Sequence, residues 1–376
     1  MIPSLRQSSQ TRFYRDAWLE IDLNAIEHNY RVLKALIPSN SALMAVVKSD
    51  AYGHGASQIA PVLEGLGCEY FGVASIDEGI QLREAGIKSE ILILSPVPHW
   101  SFGQAIHHNL QLSLSNTQQV LELLKHIDRA NPAKVQIKIN TGMNRSGIHH
   151  EKGAKELIDK VLTEPALELM GVYTHLALAG DHPFSKVQLT RFERLLSKYR
   201  KDQIGMVHIS ASSALICPQF HFDLVRLGIM LYGLSEVPDA RLKPVLSLKA
   251  RISQIQFLEQ GDIVGYNATW QANRPSVICI LPLGYADGVK RSLSNQIQGI
   301  LCGQFIPQVG IISMDQIAFD LTDLDLLPEL GEVVTLIGQE AEKKISIKNW
   351  ADILGTITYE IACDLRARLQ RVYVRK

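Results

Sequence analysis

The chain has 376 residues, 46% hydrophobic and 20% charged, the balance of a globular protein with ample core and room for two domains. Lys plus Arg equals Asp plus Glu at 38 each, so no global field draws it to nucleic acid or to an anionic membrane. The five cysteines, Cys68, Cys217, Cys279, Cys302 and Cys363, are widely spaced and form no CxxC pair, which argues against a zinc site or a disulfide framework and for a reducing compartment.

Residues 1–16 are polar and carry no apolar segment of the signal-peptide kind. No apolar run reaches membrane-spanning length, so the expected location is cytoplasmic. Leu23, Ile26, Tyr30, Leu33 and Leu36 recur at helical spacing. The short apolar run 42–47 predicts a buried strand with Lys48 where it runs out. The chain then alternates. Helices are expected over 57–66, 76–85, 102–108, 117–129, 154–162 and 185–201, and strands over 70–74, 91–94, 110–114, 135–139, 167–175, 206–209 and 223–231.

Strand–helix alternation predicts a parallel sheet. Eight such units in roughly 200–250 residues is the size of a (β/α)8 TIM-like barrel. An open doubly wound sheet would need a glycine fingerprint such as GxGxxG after its first strand, and none is present. After about residue 242 the texture becomes β-rich, over 245–257, 276–281, 297–301, 308–321 and 332–337, with a helical pattern at 347–354. The expected architecture is α/β: an N-terminal barrel over 17–241 and a mostly β C-terminal domain over 242–376, with residues 1–16 packing on the latter.

Barrels of this kind keep their chemistry at the carboxyl ends of the strands, often with a phosphate site after the seventh and eighth. Unusual polar residues gather at those ends. Lys48 and Tyr52 follow the first strand, Arg145 follows the fifth, and His175 ends the sixth. Ser210, Ser212 and Ser213 follow the seventh. Arg226 interrupts the apolar eighth, with Gly228 and Ile229 beyond it. Each has a plain structural alternative: a lysine reaching solvent, a hydrogen-bonded core histidine, serines that cap the next helix, a surface arginine. Arg226 is harder to place that way, because a buried guanidinium needs a partner. Together the group offers a lysine that desolvation would turn into a neutral, imine-forming amine. It adds hydroxyls for a phosphate and an arginine for a ring or a carboxylate. That set suits pyridoxal 5'-phosphate.

The segment Ala45-Val46-Val47-Lys48-Ser49-Asp50-Ala51-Tyr52-Gly53-His54-Gly55 resembles the pyridoxal-lysine signature of the alanine racemase family. Leu283-Gly284-Tyr285-Ala286-Asp287-Gly288 and Ser313-Met314-Asp315-Gln316 resemble its second-domain motifs, and the likeness runs from Trp18-Leu19-Glu20-Ile21-Asp22 to Tyr359-Glu360. The resemblance implies a fold-type III pyridoxal-phosphate isomerase that interconverts L-alanine and D-alanine by two-base α-proton transfer. It would supply D-alanine for cell-wall peptidoglycan or serve L-alanine catabolism. By the same resemblance Lys48 would hold the cofactor and act as the base on one face of the substrate. Tyr266 would be the base on the other face, supplied by a partner subunit, so that a homodimer shares its active sites. Tyr52, Ser212, Gly228, Ile229 and Tyr359 would bind the phosphate. Arg226 would face the pyridine nitrogen, with His175 linking it towards Tyr266. Arg145 and the Met314 backbone would hold the substrate carboxylate, and Tyr285 would line the entrance. Lys138 matches a lysine that is carbamylated in some members and steadies Arg145. No metal, nucleic acid or membrane is implied.

The family often has Asp where Asn140 stands, Asn where Ala211 stands and Arg where Ile311 stands. Ala211 removes a polar group beside the phosphate loop, and Asn140 alters the charge near Arg145 and Lys138. The rival readings are a broader amino-acid racemase, a fold-type III decarboxylase of basic amino acids, and a cofactor-carrying barrel that is not an enzyme. The decarboxylases use a run of glycines for the phosphate, and this chain has no adjacent Gly-Gly pair. The carrier proteins lack a second domain.

Overall fold

The computed structural model describes residues 14–127, 132–178, 180, 182–234, 241–365 and 367–376. These form two compact units: Asp22–Val245 with Arg375–Lys376, and Leu246–Val374 with the described residues before Asp22.

The chain opens on β1 (Ala17–Asp22). The Asp22 carboxylate accepts hydrogen bonds from the Asn24 and Ala25 amides at 2.9 and 3.3 Å, starting the helix Leu23–Ala35. Eight parallel strands build the first unit: β2 (Ala42–Val46), β3 (Tyr70–Val73), β4 (Glu90–Ile93), β5 (Gln111–Leu114), β6 (Ala133–Lys138), β7 (Leu167–Tyr173), β8 (Met206–His208) and β9 (Leu224–Leu227). They neighbour one another in chain order, and β9 returns to lie beside β2 with Arg226 opposite Met44. The amides of Asp223 and Arg226 donate to the carbonyls of Val207 and Ser210 at 3.0 and 3.2 Å, so the sheet nearly closes on itself.

Helices follow the strands, as expected, at Ala56–Gly65, Ile76–Glu84, Phe102–His107, Thr117–Leu124, Glu151–Thr163 and Pro183–Leu196. Ala154, Leu157, Ile158 and Val161 show the rule: they recur at three- and four-residue steps and are the buried face of their helix. The helix expected over 117–129 ends at Leu124, and positions 128–129 lie outside the described residues. Met44, Leu92, Tyr173 and Leu224 pack as one core cluster. Polar Gln111, Gln136, Lys138, His208 and Arg226 are buried as well, a departure from the branched aliphatic layers usual in such barrels.

The second unit is mostly antiparallel sheet. It holds β10 (Leu246–Arg251), β11 (Gln254–Leu258), β12 (Ser276–Leu281), β13 (Gln298–Leu301), β14 (Gln304–Val309), β15 (Ile317–Asp320), β16 (Val333–Glu340), β17 (Lys343–Ile345) and β18 (Gln370–Val374). β1 corrects the expected start of the barrel domain. It pairs antiparallel with β10, Leu19 opposite Leu248, and so belongs to the second unit's sheet, while the run over 42–47 is the barrel's first strand as expected. The apolar Ala17, Trp18, Leu19 and Ile21 suit either sheet, and the partner that decides lies more than two hundred residues away in sequence. Of residues 1–16, positions 14–16 are described. Arg15 donates two hydrogen bonds, at 2.6 and 2.7 Å, to the buried Asp287 carboxylate of this unit. Among the described residues no helix is long and apolar enough to cross a membrane.

Candidate active site

β2 ends at Val46, and Lys48 follows it, half-buried. The backbone then turns left-handed: φ is 54, 53, 54 and 53° at Ser49, Asp50, Ala51 and Tyr52. L-residues resist this conformation by about 1–2 kcal/mol each, so the surroundings must hold it. The Glu78 carboxylate accepts from the Ser49 and Ala74 amides, both at 2.7 Å. Asp50 Oδ1 accepts from the Ala56 amide at 2.7 Å. His54 Nδ1 lies 2.9 Å from the carbonyls of both Ala51 and Tyr52, so it carries the proton. The Tyr52 ring packs 5.2 Å from that of Tyr232. Its hydroxyl comes so close to Gly228 that a Cβ there would stand 2.4 Å from it. The Gly228 amide donates to Ser212 Oγ at 3.1 Å. Tyr52, Ser212 and Gly228 therefore form one cradle, and the Ser212 O–H remains available to donate outward.

Arg226 sits at the head of a one-way chain of hydrogen bonds through the barrel. A guanidinium only donates, so His208 Nδ1, 2.6 Å from Nη1, must accept. The proton of His208 is then on Nε2, which donates to Gln136 Oε1 at 2.6 Å. Gln136 donates to Gln111 at 2.6 Å, Gln111 donates to Glu90 at 2.8 Å, and Glu90 pairs with Lys134 at 2.5 Å. Arg226 Nη2 donates to the Thr174 carbonyl, His175 Nδ1 and the Ile209 carbonyl at 2.8, 3.1 and 3.1 Å. Burial, then the Arg226 charge, pushes the His175 imidazole down to about 3 and His208 well below its usual range, so both rings are neutral. Burial lowers Arg226 itself to about 10, which leaves it charged at neutral pH.

Lys138 adds a second buried cation. Its Nζ donates to the Leu94 carbonyl at 2.9 Å, and it and Arg226 each lie 5.4 Å from the Tyr173 ring. Burial, then the charges of Arg226, Arg145 and Lys48, lowers its amine to about 8. Among the described residues no carboxylate pairs with Arg226, Lys138 or Arg145. Among the described residues these three cations thus stand without a carboxylate partner.

Residues 21–236 match the profile "Alanine racemase, N-terminal domain" and residues 245–373 match "Alanine racemase, C-terminal domain". The chain belongs to the alanine racemase family. The alanine racemase of Nostoc sp. is 39% identical over 375 residues, 96% of this chain and 97% of that protein. The structure of the Bacillus anthracis alanine racemase with bound L-Ala-P is similar at a TM-score of 0.90 and 34% identity, over 97% of each chain. A histidine racemase from Leuconostoc mesenteroides is similar at a TM-score of 0.89 and 27% identity, over 97% of this chain and 99% of that one.

The alanine racemase family is pyridoxal-phosphate-dependent, and the donor set here fits that group. A glycine whose Cβ would fill the Tyr52–Ser212 cradle leaves room for a phosphate. Arg226, held by neutral acceptors, suits an unprotonated ring nitrogen. The strand ends of the barrel bring together Lys48, Tyr52, Lys138, His175, Ser212, Arg226 and Gly228, with Ile229 buried next in the chain. Arg145 stands exposed after β6, near enough for its charge to lower both Lys138 and His175.

Tyr266, Tyr285, Met314 and Tyr359 belong to the second unit. Tyr266 is 65% exposed, next to Gly265 and Asn267 at φ 73 and 62°. The Tyr285 and Ala286 amides donate to the Ser313 and Met314 carbonyls at 3.0 and 3.1 Å, so the two family motifs of this unit touch. Tyr359 is half-buried on the helix Thr358–Asp364. Sequence reasoning missed Glu78, Gln111, Gln136, Tyr173 and His208. His208 carried a legible signal, a lone polar residue closing the apolar Met206-Val207. Gln111 and Gln136 carried none, since a polar residue in a strand ordinarily marks a solvated face.

Proposed function

We propose that this chain is an alanine racemase that interconverts L-alanine and D-alanine with pyridoxal 5'-phosphate as its cofactor. The observation that carries this reading is the buried Arg226 guanidinium, charged yet paired only with neutral acceptors, at the strand ends that also hold Lys48 and the Tyr52–Ser212–Gly228 cradle. When bound, the cofactor supplies an electron sink for the charge left at Cα by proton loss.

The protein does the rest. Tyr52, Ser212, Gly228 and Ile229, with Tyr359, bind the phosphate. Arg226 opposes protonation of the ring nitrogen, and the His175 and His208 rings, neutral with their protons on Nε2, keep it in place. Lys48 Nζ moves the α-proton on one face and the partner subunit's Tyr266 moves it on the other. Arg145 and the Met314 backbone hold the substrate carboxylate, while Tyr285 lines the entrance. Lys138, with its amine lowered to about 8, has a neutral fraction near pH 7. Carbamylation would turn it from a cation that repels Arg145 into an anion that pairs with it. The assembly is a homodimer with shared sites. Its five cysteines are free, which supports a cytoplasmic location. The product is D-alanine for peptidoglycan or L-alanine for catabolism.

The test is circular dichroism of each L-amino acid incubated with purified protein and cofactor. Alanine of either hand should decay to zero ellipticity. Decay with histidine in preference to alanine would reassign the substrate, and decay with no amino acid would refute the racemase reading.

A further inference from the structure

His208, Ser210 and Ser212 alternate along the end of β8 and the residues after it, where Ala211 is extended at φ −135° and ψ −177°. The His208 ring points into the barrel onto Gln136 and Arg226, and Ser212 Oγ stands in the cradle. A period of two puts Ser210 on the same face, between the two. The backbone there is pinned: the Ser210 carbonyl accepts from the Arg226 amide at 3.2 Å, and Ala211 bridges to Arg226. The Ser210 side chain is 0% exposed, and its Oγ has no hydrogen-bond partner among the described residues. A buried hydroxyl without a partner destabilises the fold, and alanine would serve better unless something outside the chain accepts the hydrogen bond.

We propose that the Ser210 hydroxyl donates to the phosphate of bound pyridoxal 5'-phosphate and is a further cofactor-positioning residue. This rests on the cofactor reading above. In that reading Arg226, with His175 hydrogen-bonded beside it, would face the ring-nitrogen end. Between that end and Ser212 a bound ring would offer a hydroxyl donor only carbon, whereas the phosphate would offer several acceptor lone pairs. Ala211, next in the chain, has no side-chain polar atom to contribute.

The experiment uses the full chain, stripped of cofactor and titrated with pyridoxal 5'-phosphate and, separately, with pyridoxal, which lacks the phosphate. Wild type is compared with Ser210→Ala and Ser210→Cys. Ser210→Ala should weaken pyridoxal phosphate by roughly tenfold to a hundredfold, the loss of one hydrogen bond to a charged group, and leave pyridoxal unchanged. The 31P resonance of the holoprotein should shift, and the melting temperature of the stripped protein should hold or rise. Ser210→Cys, a weaker donor, should fall between. Unchanged pyridoxal phosphate affinity would mean that the hydroxyl serves only an ordered water, and the proposal falls. Equal losses for both ligands, or a lowered melting temperature of the stripped variant, would also overturn it, as a ring contact or a structural role. Failure of wild type to bind pyridoxal phosphate at all would overturn the cofactor reading instead.

Discussion

Gly228→Ala isolates the cradle. The Gly228 backbone, φ −118° and ψ −95°, has negative φ, so the cost of a side chain is a collision and not a left-handed twist. The new Cβ would lie 2.4 Å from Tyr52 Oη and 3.0 Å from Cζ, where ordinary contact begins at 3.4 Å. The hydroxyl must therefore retreat by about 1 Å, the difference of 3.4 and 2.4. It has little room, because Tyr52 is 7% exposed and its ring rests on Tyr232. Overpacking should cost about 1–3 kcal/mol of stability. Losing one hydrogen bond to a charged phosphate should cost about 1.5–3 kcal/mol, or roughly tenfold to a hundredfold in cofactor affinity. The assay is a cycle of wild type, Gly228→Ala, Tyr52→Phe and the double variant, each titrated with pyridoxal phosphate and with urea. Tyr52→Phe deletes the colliding atom, so Gly228→Ala should cost less stability in that background and add little to the affinity loss. Full additivity in both measurements would refute a shared contact.

Three further outcomes are expected. Lys138 titrates at about 8 in the fold against 10.5 when free, so between those values the unfolded chain binds the extra proton. In CO2-free buffer stability should then rise with pH across that window, and Lys138→Met should flatten the rise. In 13C-bicarbonate wild type should show a carbamate carbonyl resonance that Lys138→Met lacks, and its absence would leave a plain amine. Tyr266→Phe should spare cofactor binding and cripple turnover in both directions. In deuterated solvent it should still exchange the α-proton of the enantiomer served by Lys48 faster than that of the other, whereas equal exchange would remove Tyr266 as a face-specific base. Lys48→Ala and Tyr266→Phe, denatured and refolded together, should recover about a quarter of wild-type activity in a random two-fold dimer. No recovery, with mixed dimers shown by mass, would place both bases in one chain.

The barrel strands were legible because most are short segments rich in apolar residues set between segments of helical period, a pattern local enough to read. The expected domain start at residue 17 takes in β1 because nothing local in Ala17, Trp18, Leu19 and Ile21 names its remote partner β10. Lys48, Arg226 and His175 stood out as polar residues at apolar strand ends. The left-handed turn after Lys48 was invisible, since Ser49, Asp50 and Ala51 are held at positive φ by Glu78, Asp50 and His54, contacts made only after folding. Gln111 and Gln136 were unreadable for the opposite reason: burial of an amide becomes affordable only when each one finds the next.

The chain of donors from Arg226 to Glu90 also determines what can travel through the barrel. His208 could in principle hand on a proton, but the next two members are primary amides, which polarise and do not exchange protons readily. Glu90 is tuned at the far end: burial alone would raise its carboxyl, but hydrogen bonds from Lys134 and Gln111 hold it below its usual range. Its negative charge is therefore felt at Arg226 as aligned dipoles, one N–H after another. The barrel interior behaves as an insulator rather than a wire. It orients the guanidinium electrically, and its two amides offer no proton relay between Glu90 and Arg226.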